Sequence, residues 1–171
     1  MSNKQAGFSL LETLFAICIL SAGALGMAGV FTQGMQRTTS SPNELTATQK
    51  AAEAIESVFS ARDSHSITWS QLTNKSRGGI FKDGPQPMSL PGADGVVNTD
   101  DDGAVESIRF PGPDQTLGTS DDIIKTLSDF TREIVITDIN PDLRSITVTI
   151  TYLVNGTTRS YSLTALISTY A

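Results

Sequence analysis

Hydrophobic and polar positions divide the chain into stretches with different periods. From Phe8 to Phe31 apolar residues run almost unbroken, and Glu12 is the only charged side chain among them. As a helix these residues rise ~1.5 Å each, about 36 Å in all, enough to cross a bilayer. A carboxylate in a membrane span costs ~2.5–3.5 kcal/mol at a central position on insertion scales. Glu12 therefore asks for a positive partner, and another copy of the same helix is the cheapest source. Gly23, Gly26 and Gly29 recur among Ala22, Ala24 and Ala28. Small residues let helices approach closely in a membrane or a packed fibre core, although each glycine weakens the helix by ~1 kcal/mol.

A second helical stretch follows. Ser41 as N-cap, Pro42 at the first helical position and Glu44 three residues after the cap form a capping box. The pattern predicts a break or kink over 38–41 and a helix restarting at Ser41. Leu45, Thr48, Ala52, Ile55 and Phe59 then fall at helical spacing, an apolar stripe to bury against a sheet. Glu44, Lys50, Glu53 and Glu56 form the polar face. Ser64-His65-Ser66 ends the helix, and Trp69 is read as a core or interface anchor.

From Asn74 to Asp129 glycine, proline and aspartate dominate and periodicity fades. The pattern reads as a long acidic loop region, with a short strand around Val105, Ile108 and Phe110. Loops this long in a compact domain are functional or flexible. After Asp129 a period of two takes over. Ile134 and Ile136 alternate with Glu133, Val135 and Thr137, and Asn140-Pro141-Asp142 supplies a turn. Ile146, Val148, Ile150, Tyr152 and Val154 alternate with threonines, and Tyr161, Leu163, Ala165 and Ile167 return after Asn155-Gly156. Asn-Gly suits the type I′ hairpin turn, which needs positive φ at both positions. These patterns predict an α+β fold: a long N-terminal helix packed on an antiparallel meander of about three strands.

The opening residues carry a more specific signal. Gly7-Phe8-Ser9-Leu10-Leu11-Glu12, after a short leader bearing Lys4, resembles the prepilin motif of type IV pilins and the related pseudopilins. The resemblance implies cleavage after Gly7 by a dedicated peptidase and N-methylation of the freed Phe8. It further implies pairing of Glu12 with the terminal amine of a neighbouring subunit. It divides the chain into a leader over 1–7, a transmembrane and fibre-core helix over 8–31, and a soluble α+β domain over 32–171. The stretch from Glu12 to Gly26 resembles minor pilins of the pilus-modification type more than abundant major pilins. The expected partners are other pilin or pseudopilin subunits, the prepilin peptidase/methyltransferase and the bacterial inner membrane. The expected location is that membrane, N-terminus in the cytoplasm, then a periplasmic or extracellular fibre.

Competing readings of the same stretch fit it less well. A signal peptide has a shorter apolar core and a small-residue cleavage site; Ala24-Leu25-Gly26 passes weakly for the site, but Glu12 interrupts the core. A plain anchor leaves Glu12 without a use. A minor pseudopilin of a type II secretion system shares the N-terminal signature and is the alternative within the family. The missing C-terminal cysteine pair departs from many major pilins.

Composition narrows the rest. The net charge is −6, and loss of Lys4 with the leader leaves 11 basic against 18 acidic side chains, or −7. Such a surface argues against nucleic-acid binding through phosphates. Cys18 is the sole cysteine and lies in the apolar span, so no intrachain disulfide forms. His65 is the sole histidine, so no histidine triad or multi-histidine metal site can be built. No nucleophile elbow or phosphate-binding glycine loop appears, and no enzyme is expected. Asn74-Lys75-Ser76 and Asn155-Gly156-Thr157 match the short glycosylation sequon.

One feature of the loop region repeats. Pro91-Gly92-Ala93-Asp94 leads to Thr99-Asp100-Asp101-Asp102, and twenty residues on Pro111-Gly112-Pro113-Asp114 leads to Thr119-Ser120-Asp121-Asp122. Calcium takes six to eight oxygen ligands, and Asp94, Asp100 and Asp102 with Asp114, Asp121 and Asp122 are the candidate donors. Asn98, Asp100 and Asp102 resemble the start of an EF-hand loop, yet Arg109 stands where its bidentate glutamate belongs. Some pseudopilins use calcium to order an acidic loop, which the resemblance extends to these repeats. A membrane-tethered calcium-dependent binding module is the corresponding alternative function. The competing reading is turn chemistry alone, which Pro-Gly and aspartate supply unaided.

Overall fold

The computed structural model describes residues 10–154 and 156–170, with the side chains of residues 33 and 36–41 excepted. It is an α+β chain with no closed barrel. A 54-residue helix α1 (Leu10–Asp63) is followed by a short 3-10 turn (Lys75–Arg77) and six strands. These are β1 (Gln86–Pro87), β2 (Ser107–Phe110), β3 (Ile123–Thr126), β4 (Phe130–Asn140), β5 (Leu143–Val154) and β6 (Thr157–Ser168). Compactness divides the chain into Met1–Pro42 and Asn43–Ala171.

The expected break before Pro42 does not occur. The helix runs through residues 38–42 with Pro42 inside it, so Ser41 is not an N-cap. Proline's fixed φ near −65° is itself helical; what it removes is one N–H, at a cost of ~3 kcal/mol with its ring clash.

In the second unit, helix residues 43–63 and the sheet share one core. Four strands form an antiparallel sheet in the order β1-β4-β5-β6, and β2 and β3 form a separate ribbon. Alternation explains the meander. Ile146, Val148, Ile150 and Tyr152 of β5 are buried, as are Phe130, Ile134 and Ile136 of β4. Their neighbours Thr147, Thr149 and Thr151 are only partly covered on the other face. Asn140-Pro141-Asp142 makes the expected turn, closed by the Asp142 N–H donating to Asn140 Oδ1 at 2.9 Å. At the next turn Val154 pairs with Thr157 and Gly156 has φ 76°; Asn155 lies outside the described residues. The positive φ is what a type I′ turn demands.

The buried stripe of the helix is Ala47, Ala51, Ala54, Ile55, Val58 and Ala61, rotated from the one predicted. Leu45 is 59% exposed, Ala52 is exposed, and Thr48 and Phe59 are half-buried. Large side chains set the phase of the sequence pattern, but alanines fill most of the inward positions, and alanine marks a helix face only weakly.

The helix ends as a Schellman motif. His65 adopts φ 59°, its N–H donates to Arg62 O at 3.0 Å and the Ser66 N–H to Ala61 O at 3.0 Å. Only glycine takes this left-handed position without cost; other residues lose ~1–2 kcal/mol there, partly offset by glycine's greater unfolded-state entropy. His65→Gly is therefore expected to raise stability by ~0.5–1 kcal/mol, read as a higher denaturant midpoint. An unchanged or lower midpoint would contradict this account of the helix end.

Candidate functional site

Gly7 and Phe8, the expected processing site, lie outside the described residues, as does the leader over 1–7. Glu12 stands in the first turn of α1. The segment Leu10–Thr32 has 23 residues and a mean hydropathy of 2.2, long and apolar enough to cross a membrane, and none of it is buried. Its few hydroxyls are turned inward. Thr13 donates to Leu10 O at 2.9 Å, Ser21 to Ile17 O at 2.6 Å and Thr32 to Ala28 O at 2.9 Å. Bonding back to the preceding turn keeps a polar side chain tolerable in an apolar surrounding. A Cβ added at Gly23, Gly26 or Gly29 would meet nothing within 4 Å, so this stripe is open to a neighbour. Cys18 is free and exposed on the same segment.

The two acidic repeats fold alike. In the first, the Asp94 N–H donates to Asp101 Oδ2 at 3.1 Å, Val96 N–H to Asp94 Oδ1 at 2.9 Å and Asn98 N–H to Asp102 Oδ2 at 2.9 Å. In the second, Asp114 N–H donates to Asp121 Oδ2 at 3.3 Å, Thr116 N–H to Asp114 Oδ1 at 2.8 Å and Gly118 N–H to Asp122 Oδ2 at 2.7 Å. Thr99 Oγ1 donates to Asp101 at 2.7 Å and Thr119 Oγ1 to Asp121 at 2.5 Å. The glycines of the repeat have a specific duty. A Cβ at Gly92 would lie 2.2 Å from the Asp101 carboxylate carbon, and one at Gly112 would lie 2.3 Å from Asp121 O.

The copies differ in where they sit. Val96, Val97, Asn98 and Thr99 of the first are buried. Gln115, Thr116, Leu117 and Gly118 of the second are exposed, on the loop joining β2 to β3. Arg109 meets Asp122 Oδ2 at 3.4 Å, and Lys75 pairs with Asp100. Asp122 Oδ1 is buried without a hydrogen-bond partner. Among the described residues no three His, Cys, Asp or Glu side chains come together as a metal site. The geometry is that of carboxylates closing their own turns.

The environment of each carboxyl follows. Hydrogen bonds from Thr99 and the Asp94 N–H hold Asp101 below the ordinary 3.8, and those from Thr119 and the Asp114 N–H hold Asp121 below it. Burial pushes Asp102 the other way. What Asp101 and Asp121 contribute is thus present above pH 3.8 and lost as pH falls through their lower folded values. Carboxyl NMR titration is expected to place Asp101 and Asp121 below 3.8 and Asp102 above it; the reverse order would refute these turn contacts. Repeating the titration with millimolar calcium tests the ion directly, because a bound cation would hold the carboxylates ionised to still lower pH.

Sequence reasoning missed a buried polar cluster. Arg132 is 2% exposed and faces inward between Phe130 and Ile134. Its Nε donates to Asn98 Oδ1 at 2.9 Å, its Nη2 to Ser89 O at 2.9 Å, and its Nη1 lies 3.5 Å from Glu106 Oε1. Glu106 Oε2 in turn meets Lys50 Nζ at 2.6 Å. Two asparagines close the outer edge of β4. Asn74 Nδ2 donates to Ile134 O at 2.7 Å while its Oδ1 accepts from the Ile136 N–H at 2.8 Å, and Asn98 Nδ2 donates to Arg132 O at 2.8 Å. The Asn74 amide of the first sequon is therefore committed to the sheet edge. The signal available was Arg132 itself, in phase with the inward positions of β4.

Comparison with protein-family models, curated proteins and solved structures returns no significant match.

Proposed function

We propose that the chain is a minor structural subunit of a type IV pilus, processed by prepilin peptidase and assembled from the inner membrane into a fibre. The observation that carries this reading is the spacing of Gly7, Phe8 and Glu12 at the head of an apolar segment, none of whose described residues over Leu10–Thr32 is buried. A helix of this length and exposure needs an apolar solvent, either lipid or the helices of other subunits. A soluble domain with its own helix-on-sheet core fits the outer part of such a subunit. In this reading Gly7 and Phe8 meet the peptidase and methyltransferase, Glu12 meets the neighbouring subunit, and the small-residue stripe packs in the fibre core.

The intact mass of the mature protein tests it. Loss of Met1 to Gly7 together with gain of one methyl group is the expected result. A mature protein retaining the leader, or cut within the span as a signal peptide would be, would end the proposal. Detection of the subunit in sheared surface fibres separates a pilus from a secretion pseudopilus.

A further inference from the structure

The two edges of the main sheet are treated very differently. At the β4 edge, Gln86 and Pro87 of β1 pair with Arg132 and Thr131, and Asn74 and Asn98 take the neighbouring backbone groups. Those contacts also fix the polarity of the ladder. Ile134 O and the Ile136 N–H point away from β5, so the odd-numbered residues of β4 bond to β5. Alternation then sends the even-numbered residues of β5 to β6, and leaves the even-numbered residues of β6 pointing outward. Ser168 O fits this assignment, since it accepts from Arg62 Nη1 at 3.1 Å.

Thr158, Ser160, Ser162, Thr164 and Leu166 therefore present their backbone N–H and C=O groups to solvent. All five residues are exposed, and no hydrogen bond of the described residues ends on their backbone. Sheet proteins blunt such edges with lysine, proline, inward-facing charges or bulges. Thr157–Ser168 has no lysine, proline or bulge, and its only charge, Arg159, lies near its start on the face of Tyr161 and Leu163.

We propose that this edge is a self-association surface, on which β6 of a second copy adds antiparallel about a two-fold axis. A second copy is the occupant that the residues favour. Pairing centred on Leu163 sets Ser162 opposite the partner's Thr164 and Ser160 opposite the partner's Leu166, all with outward backbone groups. About eight backbone hydrogen bonds result. Half-buried Tyr161, Leu163 and Ala165 meet the partner's equivalents, so the apolar face continues across the axis. Leu166, 57% exposed, gains cover on the other face. The chain is acidic overall, but this strand carries no acid. The two Arg159 side chains stand about eight residues, roughly 27 Å, apart along the strand, beyond the screening length.

The test is the mass of the full chain in detergent micelles by sedimentation, with detergent density matched. Twice the chain mass is expected for the wild type. Ser162→Pro removes one outward N–H and leaves the β5 ladder intact; it is expected to give a folded monomer. Thr164→Lys sets two like charges close across the axis and is expected to do the same, which keeps the test valid if the proline variant misfolds. A monomeric wild type, or a Thr164→Lys variant that stays dimeric because the apolar helix carries the association, would overturn the proposal.

Discussion

Glu106→Leu is expected to cost ~3–5 kcal/mol, the range for removing one partner of a buried ion pair. Arg132 is closed off from water, and among the described residues Glu106 is its only anionic partner within 4 Å. Without that carboxylate the guanidinium keeps its neutral acceptors, Asn98 and the Ser89 carbonyl, but faces the full cost of a buried charge. Burial already draws its pKa down, against the opposing pull of Glu106 and Asp102. Lys50→Met is expected to cost less, because Lys50 is shared with the exposed Glu53. Burial lowers the Lys50 pKa, but its hydrogen bonds to Glu106 and Glu53 outweigh that and leave it above 10.5. Its contribution is therefore complete below pH 10.5 and lost as pH rises through the folded value. Replacing both members, Glu106→Leu with Arg132→Met, is expected to recover much of the loss, since apolar pairs often substitute for buried ion pairs. Chemical denaturation of the three variants checks this. A Glu106→Leu variant within 1 kcal/mol of wild type would show that the pair is dispensable.

Legibility followed chemistry that is local in sequence. The meander could be read because Ile146 to Val154 alternate with threonines and because proline and glycine mark both turns. The repeat could be read as turns, since Asp94 and Asp114 each bond the N–H two residues on, a contact that needs nothing distant. What failed depended on partners far along the chain. Lys50 read as a solvated face because Glu106 is remote in sequence. Asn74 and Asn98 read as loop residues because the strand edge they close is formed by residues 132–136. The helix stripe was misphased for a different reason: four of its six buried positions are alanine, which hydropathy hardly distinguishes from neutral residues. In the first half of α1 the apolar run itself was legible, and the structure adds that none of Leu10–Thr32 is buried among the described residues.

Glu12→Leu is expected to leave processing and membrane insertion intact and to lower incorporation of this subunit into fibres by roughly tenfold or more, the factor that ~1.4 kcal/mol already produces. The prediction rests on the proposed pilus function. Phe8 precedes Glu12 by four residues in the sequence, the spacing of about one helical turn. A neighbour displaced along the axis by about that turn brings its amine to this carboxylate. In an apolar bundle the attraction is far stronger than in water, and it operates at one axial offset only, which makes it a register mark. Leucine keeps the helix apolar and lowers the cost of insertion, so a loss seen with leucine cannot be blamed on poor membrane entry. Glu12→Ala removes the same charge with less apolar surface and should lose incorporation equally. The quantity to measure is the ratio of this subunit in sheared fibres to that in the membrane, because total fibre number does not report the incorporation of one minor subunit. Wild-type incorporation of Glu12→Leu would mean that shape and small-residue packing alone set the register.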